Sequence, residues 1–191
     1  VIGRMSIQDA VKWNYRYQTP HRSARCTPRS FLIEQAAVLP LHGLALDIAM
    51  GLGTNAAFLS ARGLRVIGLD ISEVAVRTAK ARCPQLQAAV VDLSHFTLPP
   101  ATFDVIVNFY FLDRRLWPLY RRALKPGGVL IIETLTRAML AVRPEIDPIY
   151  LLEPGELRAA FEDWRVVAQR ETWLDDEGWQ RAVAGLAVQR P

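Results

Sequence analysis

Short apolar runs alternate with helix-patterned stretches from residue 44 to residue 134, and this alternation restricts the fold more than any other feature. Residues 44–49 read as a first strand that runs into the turn Gly51-Leu52-Gly53. A helix is expected over 55–62, where Gly63 can take the left-handed position that ends helices. Residues 65–69 form a second strand ending in Asp70, and Ser72 caps a helix reaching about Arg82, just before Cys83-Pro84. The third strand, 87–91, ends in Asp92, and the fourth covers 103–108. A helix follows over 114–124 with Pro118 in its first turns. Lys125-Pro126-Gly127-Gly128 then turns into a fifth strand at 129–134. Strands joined by helical crossovers run parallel, in a sheet covered on both faces.

The flanks differ. Ser6 with Asp9 three residues on opens a helix through about Tyr17, closed by Thr19-Pro20, and Pro28 suits the first turn of a second helix ending near Val38. Residues of about 1–40 thus form a helical cap on a core of 41–191. Beyond the fifth strand, Glu153-Pro154-Gly155-Glu156-Leu157 starts a helix to about Phe161. Residues 165–172 and 181–189 then read as an antiparallel hairpin joined by Asp175-Asp176-Glu177-Gly178. The expectation is one α/β domain: a Rossmann-like, mostly parallel sheet of seven strands with helices on both faces and the last strand antiparallel.

Half of the 191 residues are apolar (51%) and 22% are charged, which excludes wholesale disorder. The net charge of +4 is spread along the chain. Its densest stretch, Arg16, His21, Arg22, Arg25 and Arg29 with Trp13, Tyr15 and Tyr17 interleaved, reads as a solvated segment or a lid over an anionic ligand rather than a nucleic-acid surface. Cys26 and Cys83 read as reduced thiols, and they form no metal-ligand spacing with His21, His42 or His95. No apolar run reaches the ~18 residues of a membrane span. Met5 reads as a natural start without a signal-peptide pattern, so the expectation is a cytoplasmic protein, monomeric or homodimeric, with no metal and no membrane partner.

In an open α/β sheet, ligands sit at the carboxyl ends of the strands where strand order reverses. Gly51 and Gly53 let the backbone turn sharply and approach a ligand, and the next helix aims free N–H groups into the same cleft. Asp70 closes the second strand 19 residues after Gly51, where an acid can accept both hydroxyls of an adenosine ribose. These two signals also fit nicotinamide-dependent dehydrogenases, because Gly51-x-Gly53-x-x-Ala56 matches the G-x-G-x-x-G/A fingerprint. Three others discriminate. Asp47 lies inside the strand end, where it can take the ammonium of an amino-acid moiety. Asp92 with Leu93 ends the third strand, where an acid can accept an adenine amino group. A terminal antiparallel hairpin is not a usual dehydrogenase element.

From Trp13 to Gln189 the sequence resembles class I S-adenosylmethionine-dependent methyltransferases. Leu46-Asp47-Ile48-Ala49-Met50-Gly51-Leu52-Gly53-Thr54-Asn55 resembles their D-x-G-x-G-x-G motif, and Val66 to Ser72 their ribose motif. Val91-Asp92-Leu93 resembles the adenine motif, Phe103 to Asn108 the fourth-strand motif, and Leu124 to Gly128 the turn into strand five. The tellurite-resistance methyltransferases and their small relatives are similar in Gly51 to Asn55, in Leu59 to Gly63, and in Pro154 to Trp164. The resemblance implies S-adenosyl-L-methionine as cofactor, held by Asp47, Ala49, Gly51, Gly53, Asn55, Asp70, Ile71, Asp92, Leu93 and Asn108. Ala49 and Met50 depart from the family's usual Gly and Cys, and an alanine is expected to fit there on a backbone of negative φ.

The function implied is in-line methyl transfer to a small acceptor such as a thiol or chalcogen oxyanion. A soft acceptor needs no strong general base, whereas an oxygen or nitrogen acceptor must lose a proton. Candidates for the acceptor side are Asn108, Tyr110, Asp113 and Arg114 after strand four, and Thr134, Thr136, Arg137, Arg143 and Tyr150 after strand five. His21 and Arg29 are added from the N-terminal segment, while Tyr110 and Phe111 read as walls around adenine or the methyl donor rather than as catalysts. Asn108-Phe109-Tyr110-Phe111 lacks both prolines of the Asn-Pro-Pro-Tyr motif of amino-group methyltransferases. The alternatives are a nicotinamide-dependent oxidoreductase and a non-catalytic module that binds S-adenosylmethionine.

Overall fold

In the computed structural model, which describes residues 7–19, 27–176 and 179–191, a seven-stranded sheet carries the chain. An N-terminal helix, α1 (Ile7–Gln18), precedes a short helix α2 (Ser30–Glu34). Then β1 (Leu44–Ile48), α3 (Thr54–Ala61), β2 (Arg65–Asp70), α4 (Glu73–Arg82) and β3 (Gln87–Val90) wind outward to one edge. The chain returns through β4 (Phe103–Phe109), α5 (Trp117–Ala123) and β5 (Leu124–Leu135). It finishes with α6 (Glu156–Ala160), β6 (Arg165–Asp176) and β7 (Trp179–Gln189).

The strand order is β3-β2-β1-β4-β5-β7-β6. Strands β1 to β5 pair in parallel, and β7 is antiparallel to both β5 and β6. Strand order reverses between β1 and β4, so their carboxyl ends open the cleft where ligands bind in this architecture.

Alternation along the strands sends side chains to two cores. Leu46, Ile48, Ile106, Leu130 and Ile132 face one side with Tyr120 from α5 and Phe161 and Trp164 near α6. Ala45, Val105, Val107 and Ile131 face the other, covered by Phe31, Leu32, Leu59 and Val76 from α2, α3 and α4. Among the described residues, no helix is long and apolar enough to cross a membrane, and no cluster of three His, Cys, Asp or Glu could hold a metal ion.

Several boundaries move from their expected places. The helix expected over 28–38 is α2 followed by a separate 3-10 turn, Ala36–Val38, because Gln35 leaves the helical basin at φ −92° and ψ 11°. The third strand stops at Val90, where the Asp92 side chain caps the 3-10 turn Leu93–His95. The helix expected from Arg114 begins as a 3-10 turn, Arg114–Leu116, and turns α-helical at Trp117, which leaves Pro118 in the first turn, where its missing N–H is harmless. Strand β5 starts at Leu124, which pairs with Phe103. Lys125 to Gly128 bulge out before Val129 resumes pairing with Val105. Both hairpin strands are longer than expected. Asp175 and Asp176 belong to β6, while Glu177 and Gly178 lie outside the described residues, as do Met5, Ser6, Pro20, His21, Arg22, Arg25 and Cys26.

One ion pair ties three strands and α2 together. Glu133 on β5 is 1% exposed, and its Oε2 accepts from Nε of Arg170 on β6 at 2.7 Å. Gly185 of β7 sits between them in register, and a Cβ there would stand 3.1 Å from Glu133 Oε2. The glycine therefore lets the pair bridge across β7. Arg170 also lies over the Phe31 ring at 4.7 Å and reaches Glu34. Removing one partner of a buried pair strands the other charge. Arg170→Met should lower unfolding free energy by about 3–5 kcal/mol in urea denaturation, with part regained in Arg170→Met/Glu133→Gln. An unchanged midpoint would show that the pair holds nothing.

Candidate cofactor and acceptor site

The turn after β1 is built from left-handed residues. Ala49 has φ +52°, Gly51 +56° and Gly53 +74°. Met50 N–H bonds back to Leu69 O, and Gly53 N–H to Met50 O. The Asp70 carboxylate fixes the turn from the neighbouring strand: Oδ2 accepts from Gly51 N and Oδ1 from Ser72 N, both at 2.8 Å. Burial pushes the Asp70 carboxyl up, and the hydrogen bonds from Ser72 and Gly51 pull against that. Ser72 in turn caps α4 by accepting from Ala75 N.

The negative φ expected for Ala49 is not what the chain adopts. The turn keeps the glycine-type backbone and forces it on an alanine, a strain of about 1–2 kcal/mol. Met50 is buried, and its Sδ occupies the space that a Cβ on Gly68 would take.

Asp47 is 1% exposed within β1. Burial, and then the nearby Asp70 charge, push its carboxyl up to about 8, against the Ala56 N–H and the Arg29 charge. Its Oδ2 has no hydrogen-bond partner among the described residues. A buried oxygen left in that state is costly unless something binds it.

Other expected cofactor residues have local duties. Asn55 Oδ1 accepts from Arg29 N at 3.0 Å, anchoring the segment before α2. Asp92 is exposed and accepts from Ser94 N. Asn108 is buried at the end of β4 and donates from Nδ2 to the Tyr120 hydroxyl at 2.8 Å, while its Oδ1 lacks a partner among the described residues. Ile71 and Leu93 line the cleft beside Asp70 and Ala49, with Phe109, Tyr110 and Phe111 on the β4 side.

The sequence reading missed the floor-to-lid contact made by α1. Trp13 also lines the cleft, stacked on Tyr17 with ring centroids 5.7 Å apart. The Tyr17 hydroxyl lies 2.8 Å from where a Cβ on Gly51 would be. Asn14 Oδ1 accepts from Ser72 Oγ at 2.7 Å and Val74 N at 3.2 Å. With α1 so placed, the cleft holds about 50 Å³, far below the roughly 300–1,000 Å³ of a ligand pocket. The aromatic residues among the N-terminal arginines were the only signal in the sequence.

Of the acceptor-side candidates among the described residues, Tyr110 alone lines this cleft. Asp113 caps its own turn and pairs with Arg115. Arg114 forks onto Glu156 and the carbonyls of Ile149 and Leu151, which makes it a clasp for the loop after β5. Arg137 pairs with Glu153 and Arg143 with Glu145. Thr134 and Thr136 are buried, and Tyr150 is exposed. Tyr110 itself has φ +57°, and its N–H bonds to Glu133 O at 2.8 Å. Burial and then Glu133 raise its hydroxyl pKa, so at neutral pH it is a phenol.

The strain at Ala49 is measurable. Ala49→Gly should raise unfolding free energy by up to about 1 kcal/mol, the left-handed strain less the added freedom of the unfolded chain. A loss of stability in urea denaturation would show that the alanine methyl packs to better effect than its backbone costs.

Residues 45–128 match the family model described as a methyltransferase domain. A probable S-adenosylmethionine-dependent methyltransferase of Mycolicibacterium smegmatis is 34% identical over 60% of this chain and 46% of its own length. A trans-aconitate 2-methyltransferase of Methylobacterium radiotolerans is 33% identical over 63% of this chain and 48% of its own. The chain spans about half the length of these curated relatives. TehB from Haemophilus influenzae superposes with a TM-score of 0.72 at 16% identity, covering 94% of this chain and 67% of that one, a likeness of fold. The methyltransferase-domain match over residues 45–128, the strand order and the glycine turn between Asp47 and Asp70 together make the chain similar to class I S-adenosylmethionine-dependent methyltransferases.

Proposed function

We propose that this chain binds S-adenosylmethionine at the carboxyl ends of β1 and β2 and transfers its methyl group to a small acceptor that arrives as an anion. The buried, unpartnered Oδ2 of Asp47 carries this reading. A carboxyl in that position suits an ammonium group, and Gly51 and Gly53 keep the adjoining backbone free of side chains. Asp70 has lone pairs left for ribose hydroxyls, Ile71 and Leu93 offer apolar walls to adenine, and Asp92 stands at the rim beside them. The cofactor supplies a methyl group already activated on a sulfonium.

This chain's own residues then have to orient the acceptor in line and exclude water. Trp13, Phe109 and Phe111 give the cleft apolar walls, and Tyr110 is the polar side chain facing it from β4. A neutral phenol is a poor base. The acceptor should therefore bring its own negative charge, as a thiolate or a chalcogen oxyanion does. The trans-aconitate methyltransferase among the relatives is named for an acceptor that is also an anion.

Calorimetry with S-adenosylmethionine and, in parallel, NADH tests the cofactor; binding of NADH alone would sink the reading. A second test uses pH. Pairing with an ammonium requires Asp47 as carboxylate, whereas its carboxyl in the free protein is raised to about 8. Binding below that pH must expel a proton, so affinity should climb by up to about tenfold per pH unit from pH 6 towards 8. It should fall again once the ligand's amine, with a pKa of roughly 7.7–8.0, loses its own proton. Asp47→Asn should flatten the acidic limb. Release of S-adenosylhomocysteine over thiols, selenite, tellurite, phenols and amines should favour the anionic acceptors, and preference for neutral amines would contradict the proposal.

A further inference from the structure

Helix α1 lies across the same turn that Asp70 poses for a ligand. The Tyr17 hydroxyl comes so near Gly51 that a Cβ there would stand only 2.8 Å from it. A glycine admits a ligand because its backbone is bare, and this hydroxyl occupies the approach that Gly51 leaves open. One turn earlier in the helix, Trp13 lines the cleft with Asp70, Ile71 and Leu93. An aromatic ring and a hydroxyl are thus presented to the surfaces proposed above for an adenine and a ribose.

The helix is held there with little apolar burial. None of its residues is buried, and Ile7, Val11 and Tyr15 along one flank are 86%, 63% and 72% exposed. A helix of 12 residues is marginal by itself in water. An element that buries so little apolar surface belongs to the part of a protein that opens first.

Asn14 supplies a polar latch. Its Oδ1 accepts from Ser72 Oγ and from Val74 N, which are the cap and the first turn of α4. One of the N–H groups that a helix start leaves without an intrahelical acceptor is thereby matched from α1. Ser72 is fully buried, and its own N–H is bonded to Asp70 Oδ1. The latch and the carboxylate proposed to meet the ribose are therefore joined through one residue.

We propose that α1 is a self-blocking gate: latched through Asn14 on the N-terminus of α4, it competes with the cofactor for the Gly51 turn and must undock before the cofactor loads. The room in the cleft supports this. With α1 docked it holds about 50 Å³, whereas a nucleoside with an amino-acid arm needs a pocket of ordinary size, roughly 300–1,000 Å³. Only the undocked fraction of molecules binds, so the apparent dissociation constant is the intrinsic one divided by that fraction. Water can satisfy the α4 donors that undocking exposes, which keeps the gate reversible. Trp13 then walls the loaded cleft from a position further out than its docked one. That the ligand is S-adenosylmethionine rests on the methyltransferase reading; that α1 stands on the turn does not.

The test is calorimetry and stopped-flow binding of S-adenosylhomocysteine to the full chain, with hydrogen exchange of residues 7–18 measured on the same proteins before ligand is added. Asn14→Ala should speed exchange in α1, tighten S-adenosylhomocysteine about five- to tenfold and place that gain in the association rate. Tyr17→Ala, which clears Gly51 and leaves the latch in place, should tighten it as well. A helix that closes over bound cofactor as a lid gives the opposite sign. Weaker binding in both variants through faster dissociation would therefore overturn the proposal, and so would unchanged affinity in both. Binding by neither the parent chain nor the variants would count against the methyltransferase reading instead. Exchange would still decide the latch in that case: faster exchange in Asn14→Ala would uphold it, and equal exchange would overturn it.

Discussion

The carboxylate of Asp70 joins pieces that the rest of the site depends on. One oxygen holds the Gly51 N–H and the other the Ser72 N–H, so the turn after β1 and the entry to α4 share one anchor. Through Ser72 the anchor extends to Asn14 and hence to the docking of α1. Parallel strands alone would bring β1 and β2 side by side, but they would not determine how the connecting turn is posed. A buried carboxylate with two backbone donors does, because leaving either donor unmatched inside the protein costs about 1–3 kcal/mol.

Asp47 and Asp70 stand close enough for the charge on one to raise the pKa of the other. Asp70 is compensated by backbone N–H groups, whereas Asp47 keeps an oxygen without a partner among the described residues. Two acids of the same kind thus take different parts: one shapes the cleft, and the other is left for a cationic group. The difference follows from where the neighbouring N–H groups point, which no spacing rule contains.

That contrast also marks what was legible in the chain. The strand–helix alternation, the switch point between β1 and β4, and the hairpin were readable because each rests on local patterning of apolar residues, glycines and caps. Asp47, Gly51 and Asp70 were readable because a short distance along the chain is also a short distance in the fold. The engagement of Arg114, expected on the acceptor side, by Glu156, 42 residues on, was not legible. The α1 contact left only its aromatic residues as a signal, because Asn14 meets Ser72 across 58 residues. Ala49 is a different case, since nothing nearby in sequence announces that an alanine will be held in a glycine conformation.

The position of β7 has a consequence for how the molecule is assembled. This strand comes after β6 in the chain yet lies inside it, between β5 and β6. Until residues 179–189 have been made, the ladder edge of β5 has no partner, although the turn after β1 can already form. On the ribosome, the glycine turn would thus be in place while an apolar sheet edge with Leu130 and Ile132 beside it stays open. That exposed interval would last until β7 emerges, and a chaperone guarding it would need to cover β5.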